Sequence, residues 1–227
     1  MIVNRWNTAL HGALLSLFLL STTASAQKPD HWETLIIPGR QCSYLVPTSS
    51  VDAAWSSTSF DDSGWNTGTG GIGFGDDDDN TTISPAISVY CRYNFTISYP
   101  DSITSLILDM DFDDGFVAYL NGTELARYNM GATGSVTAWN QPADGLQEAL
   151  IYQGETPLRF ALDETVTDLL VQGTNTFAVE VHNISTTSSD LSSNPYLHAG
   201  IANTGSYYHG TPEWFYPPFW KTAPCCH

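Results

Sequence analysis

The chain has 227 residues, 24 acidic against 7 basic side chains, and a formal net charge of −17. A surface of that sign repels nucleic acid and anionic lipid, and suits a neutral partner or a cation.

Arg5, the apolar run ALLSLFLL (13–20) and the small residues ASA (24–26) make residues 1–26 a secretory signal peptide, a retained membrane anchor being the alternative. No later stretch approaches about 18 consecutive apolar residues, so no membrane insertion is expected after cleavage. The expected product is a secreted domain at residues 27–204, followed by an aromatic and proline-rich tail at 205–227. That tail reads as a linker, a truncated end or a strap over the fold. Cys42 and Cys91 fall inside the domain and suit a disulfide in an oxidising exterior, with two buried free thiols as the alternative. Cys225 and Cys226 lack the spacing of metal ligands.

Within FDDSGW (60–65), Phe60 and Trp65 are expected to pack beneath a loop, with Asp61 or Asp62 closing an Asx-turn; an exposed Trp65 serving as a sugar platform is the alternative. Residues 66–85 read as a long loop rich in Gly, Asp, Asn and Thr. SVYCRYNFTI (88–97) alternates Val89, Cys91, Tyr93 and Phe95 against Tyr90, Arg92 and Asn94, a half-buried strand. SLILDMDF (105–112) puts Asp109 and Asp111 opposite Leu106, Leu108, Met110 and Phe112, either exposed or edging a second polar layer. GFVAYLNG (115–122) and TELARYN (123–129) form a hairpin around Asn-Gly. LRFAL (158–162) and YLHAGI (196–201) are shorter strands, and DETVTDLLVQG (163–173) a short helical turn. TNTFAVEVHN (174–183) alternates Phe177, Val179 and Val181 against Ala178, Glu180 and His182, with Glu180 facing solvent or bound to Arg92 or Arg127. This is an all-β, antiparallel sandwich or jelly roll.

Hard-oxygen donors crowd at two places. Asp76, Asp77, Asp78, Asp79 and Asn80 lie on a Gly-flanked loop, the donor type that calcium takes; the alternative is a solvated acidic loop. The spacing is not that of an EF-hand, since Thr81 and Ile87 occupy the places of its Gly and Glu. Asp113 and Asp114 precede Gly115 at a bend, where they make the turn, bind metal or sugar hydroxyls, or, least of all, catalyse. A binding rim of His182, Asn183, Ser189 and Asp190 for sugar hydroxyls competes with a structural role for those residues. Trp139, in a polar loop, is either the stacking platform or a plug. No GxSxG elbow and no phosphate-binding glycine loop occur.

Five stretches in order resemble one family: FDDSGW (60–65), GTGGIGFGDDDDNT (68–81), DFDDGFVAYLNGTELAR (111–127), GTNTFAVEVHN (173–183) and SSDLSSNPYL (188–197). Together they resemble the galactose-binding-like jelly-roll modules of secreted bacterial proteins, which accompany CotH-type kinase domains, lamin-tail-like domains or glycoside hydrolases. They are also similar to the sugar-binding domain of β-galactosidases and β-glucuronidases. The resemblance implies a non-catalytic module that binds carbohydrate or a cell-surface glycan. The alternatives are an accessory fragment of a larger glycosidase or CotH-type protein, and a surface or assembly protein without a small ligand.

Overall fold

The computed structural model describes residues 28–76 and 79–218; residues 1–26, expected to be a signal peptide, and Asp77, Asp78, Cys225 and Cys226 lie outside the described residues. Its strands are β1 (His31–Ile36), β2 (Gln41–Leu45), β3 (Asn66–Thr69), β4 (Ile72–Phe74), β5 (Thr81–Thr82), β6 (Ser88–Ile97), β7 (Ile103–Phe112), β8 (Gly115–Leu120), β9 (Thr123–Tyr128), β10 (Leu158–Ala161), β11 (Gly173–His182) and β12 (Leu191–Ile201). The first sheet runs β10-β7-β12, and the far edge of β12 is shared by β1 and β4, with β5 beside β4. The second sheet runs β3-β2-β6-β11-β8-β9. All the pairings are antiparallel except β4 with β5.

Period-two burial joins the sheets. Val89, Cys91, Tyr93 and Phe95 from β6, Leu106, Leu108, Met110 and Phe112 from β7, and Phe177, Val179 and Val181 from β11 meet in one apolar core. Each such side chain contributes about 1.5–3 kcal/mol by leaving water. The β8–β9 turn has Asn121 at φ 51° and Gly122 at φ 89°, the two left-handed residues that a tight hairpin needs. The 163–173 segment forms a 3₁₀ turn at Glu164–Leu169, capped by Asp163 Oδ1 on Thr165 N–H.

Two expectations are corrected. The 66–85 segment holds β3, β4 and β5. A side chain at Gly73 would lie 2.0 Å from the Leu191 carbonyl, so β4 is built by close backbone approach that no alternation announces. Cys42 and Cys91 are buried free thiols, not a disulfide. Register sets Tyr44 opposite Cys91. Cys42 is therefore a diagonal neighbour, close enough for a thiol–thiol hydrogen bond that holds its own thiol below the usual range.

The described part of the tail is a strap over the outer face of the first sheet. Glu33 accepts the N–H groups of Tyr207 and Tyr208 at 2.9 Å each, and His209 bridges to Thr34. Trp214 packs edge-on to Tyr196, and Phe215 packs on His198 with ring centroids 4.3 Å apart.

Candidate functional site

The outer face of the second sheet carries Tyr90 and Arg92 from β6, Tyr119 from β8, and Ala178, Glu180 and His182 from β11. Two loops wall this face. Arg92 secures the first by binding Asp62 at 2.8 Å and the carbonyls of Trp55 and Ser57. That places Trp55 edge-on to Tyr90 and Tyr119, at 4.8 and 5.4 Å, with Trp65 and Phe60 packed beyond it. The second loop follows β9. Arg127 grips both oxygens of Glu124 at 2.8 Å and donates to the Ser135 carbonyl. Glu124 also accepts Gly134 N–H at 3.0 Å, and Met130 and Ala143 pack on Val117. Ser88 Oγ donates to the Trp139 carbonyl at 2.6 Å and fixes that end of the loop.

Between these walls is a pocket of about 620 Å³, lined by Trp55, Tyr90, Tyr119, Trp139, Glu124 and Glu180 and by small and polar residues of 50–56 and 134–140. Its volume lies within the range of small-molecule sites. Val136, 95 % exposed, stands on the rim. Glu180 forms part of the floor and is only 2 % exposed. It accepts the Tyr119 hydroxyl at 2.9 Å and also bonds to Tyr90. Burial first, and the Glu180 charge second, push both phenols well above their usual range, so they stay protonated donors. His182 Nδ1 lies 2.9 Å from the Gln141 carbonyl, which only accepts and so assigns a proton to Nδ1. Nε2 then faces Glu180 at 3.3 Å.

A second polar centre lies at one end of the sandwich, and the DMDFDD segment builds it. Asp109 forms a forked pair with Arg159 at 2.7 Å and lies 3.2 Å from His198. Asp111 accepts Leu150 N–H at 2.6 Å, and Asp114 accepts Gln147 and Ile184 N–H at 3.0 and 2.7 Å. These anchors lay the 146–153 segment across the sheet end and bring Glu148 to Asp113 and Asp190. Carboxylate oxygens of the three all lie within 4.8 Å of one another. Asp113, 2 % exposed, is pushed up to about 9 by burial and by Asp114, Asp190 and Glu148. The Tyr152 phenol is raised by desolvation and then by the charges of Glu148, Asp76 and Asp190, which places Asp76 in the same neighbourhood.

The residues expected to share one rim divide between the two centres. Trp139 is half-buried and lines the pocket, while His182 sits under the pocket floor and reaches it through Glu180. Asn183 belongs to neither, because its amide donates to the Ala86 carbonyl and its backbone carbonyl accepts Ala143 N–H. Asp114 makes the turn, whereas Asp113 and Asp190 join the acidic end. Asn80 Nδ2 donates to the Gly70 carbonyl at 2.6 Å and closes its own loop; Asp79 packs over Gly73. Glu180 does not face solvent, and neither arginine binds it: Arg92 holds Asp62 and Arg127 holds Glu124. Asp109 and Asp111 form a buried polar layer. A hollow of similar volume, about 620 Å³, lies between the N-terminal segment and the strap, beside Trp32, Phe215, Pro217 and Pro218. It borders the limits of the described residues and gathers no comparable polar network.

No protein-family profile matches the chain, and neither does any curated sequence. Among solved structures it is similar to a Bacteroides uniformis β-glucuronidase, at 18% identity and TM-score 0.47 over 74% of this chain and 18% of that one. A β-glucuronidase from glycoside hydrolase family 2 matches at 15% identity and TM-score 0.44, over 78% of this chain and 18% of that one. A β-glucuronidase from an uncultured Clostridium matches at 13% identity and TM-score 0.44, over 75% and 29%. The chain thus spans less than a third of the length of each.

Proposed function

We propose that the chain is a secreted, non-catalytic carbohydrate-binding β-sandwich of galactose-binding-like type. The observation that carries this reading is the pocket on the second sheet, where half-buried Trp139 and Tyr119 flank a buried carboxylate. Sugars present C–H faces that stack on aromatic rings and hydroxyls that pair with planar acceptors, and this pocket offers both. Glu180, already fixed by two phenols, is an acceptor that need not reorganise to meet a sugar hydroxyl.

Glycoside cleavage needs two acting carboxylates about 5–10 Å apart across the scissile bond. Glu124, the second acid of this pocket, has both oxygens engaged by Arg127 and Gly134. Binding without cleavage is therefore the favoured role, as the accessory unit of a larger glycosidase. The test is a glycan array followed by calorimetric titration of the oligosaccharides retained. Trp139→Ala is expected to weaken binding about 10–100-fold with the fold intact. Absence of any bound glycan, or equal affinity in Trp139→Ala, would refute the reading.

A further inference from the structure

A buried hydroxyl beside the acidic end has no hydrogen-bond partner among the described residues. Register pairs Ser193 with Phe112, which sets Ser192 opposite Asp113, and Asp113 N–H donates to the Ser192 carbonyl at 3.2 Å. Asp190 lies two residues earlier, immediately ahead of β12. Its side chain is fully buried, and among the described residues Oγ meets no donor or acceptor. On the other side of Ser192 lies Gly73, its partner in β4. A Cβ at Gly73 would lie 2.3 Å from Asp79 Oδ1, so the missing side chain lets that carboxylate lie over the same face. The buried hydroxyl thus has Asp113 beside it across the ladder and Asp79 over Gly73 on its other side, and leaving it unsatisfied is costly.

We propose that Asp113, Glu148 and Asp190, with the Ser192 hydroxyl, bind a calcium ion that clamps the 146–153 segment to the ends of β7 and β12. All the donors are hard oxygens, the set that calcium takes, without the Cys or His of a structural zinc site. Calcium–oxygen distances of about 2.3–2.6 Å put ligands on opposite sides of the ion about 5 Å apart, and the three carboxylates span no more than 4.8 Å. The geometry does not need Asp77 or Asp78. Nor does the proposal depend on the carbohydrate reading, since the pocket lies on the other sheet.

The experiment strips the protein with chelator, then follows calorimetric titration and thermal melting with CaCl2 and, separately, MgCl2. One calcium per chain is expected, with a melting rise of about 5–10 °C at a hundredfold excess over Kd. Glu148→Gln, which changes an exposed loop carboxylate and leaves folding untouched, and Asp190→Asn are each expected to weaken calcium at least tenfold. Glu155→Gln, an exposed acid without a place in the cluster, controls for general charge and is expected to bind as the parent does. The proposal is overturned by absence of heat and of any melting shift. It is also overturned by unchanged calcium affinity in Glu148→Gln, or by magnesium binding as tightly as calcium.

Discussion

On the outer face of the second sheet Glu180 stands 3.3 Å from His182; on the outer face of the first sheet Asp109 stands 3.2 Å from His198. The four side chains are almost wholly buried. What separates the pairs is what covers them. His198 has Thr34 Oγ1 at 2.9 Å on its second nitrogen, Phe215 on its ring, and Arg159 beyond Asp109. Trp214 and Phe215 close that face. Over Glu180 the two loops stand apart, and aromatic rings line the gap. The same acid–histidine chemistry is sealed under a strap on one sheet and presented in a pocket on the other. A buried acid–histidine pair is therefore accessible to a ligand only where the covering elements leave an opening.

The comparison breaks first at the sealed face. Asp109→Ala leaves Arg159 and buried His198 without their carboxylate and is expected to cost about 3 kcal/mol in urea unfolding, with glycan affinity unchanged. Phe215→Ala removes contacts to Trp32 and His198 and the ring beneath the Arg159 guanidinium. It is expected to cost about 3 kcal/mol, again without a binding effect. At the open face the sign of the result reverses. Glu180→Gln is expected to weaken glycan binding roughly tenfold while stability, read by the same urea titration, moves by less than about 1 kcal/mol.

The smallest effect is in pH. Burial, opposed by Asp109 and reinforced by Arg159, holds His198 below its usual 6.5. The groups facing it are Thr34 on β1, Asp109 on β7, Arg159 on β10 and the Phe215 ring. Below about pH 6.5 the unfolded chain binds a proton there that the folded chain does not. Its contribution is thus fully present above that pH and is lost as pH falls through the folded value. Melting curves from pH 7.5 down to 5 should show a decline that His198→Asn reduces.

The strands were legible where one face alone is dry. Alternation in 88–97, 103–112 and 173–182 follows the inner face directly, and Asn121-Gly122 announces its turn. β1 and β12 were harder, because the strap dries their outer faces too. All eleven residues of β12 are buried, so Ser192, Asn194 and His198 imitate solvent-facing positions in the sequence. Alternation put Glu180 on the polar face correctly, but the loops that roof it come from residues 50–62 and 130–140, far away in sequence. Trp139 was readable as an aromatic out of strand pattern. Glu148 had no local signal; only the anchoring of 146–153 by Asp111 and Asp114 brings it to Asp113 and Asp190.

The central claim, that the open face of the second sheet receives the sugar, is tested most directly by mapping backbone NMR shifts during titration with an oligosaccharide that binds. The expected perturbations cluster at 50–56, 119–124, 134–140 and Glu180. Perturbations confined to the strap or to the acidic end around Asp113 and Asp190, with Trp139 and Glu180 unmoved, would contradict the account.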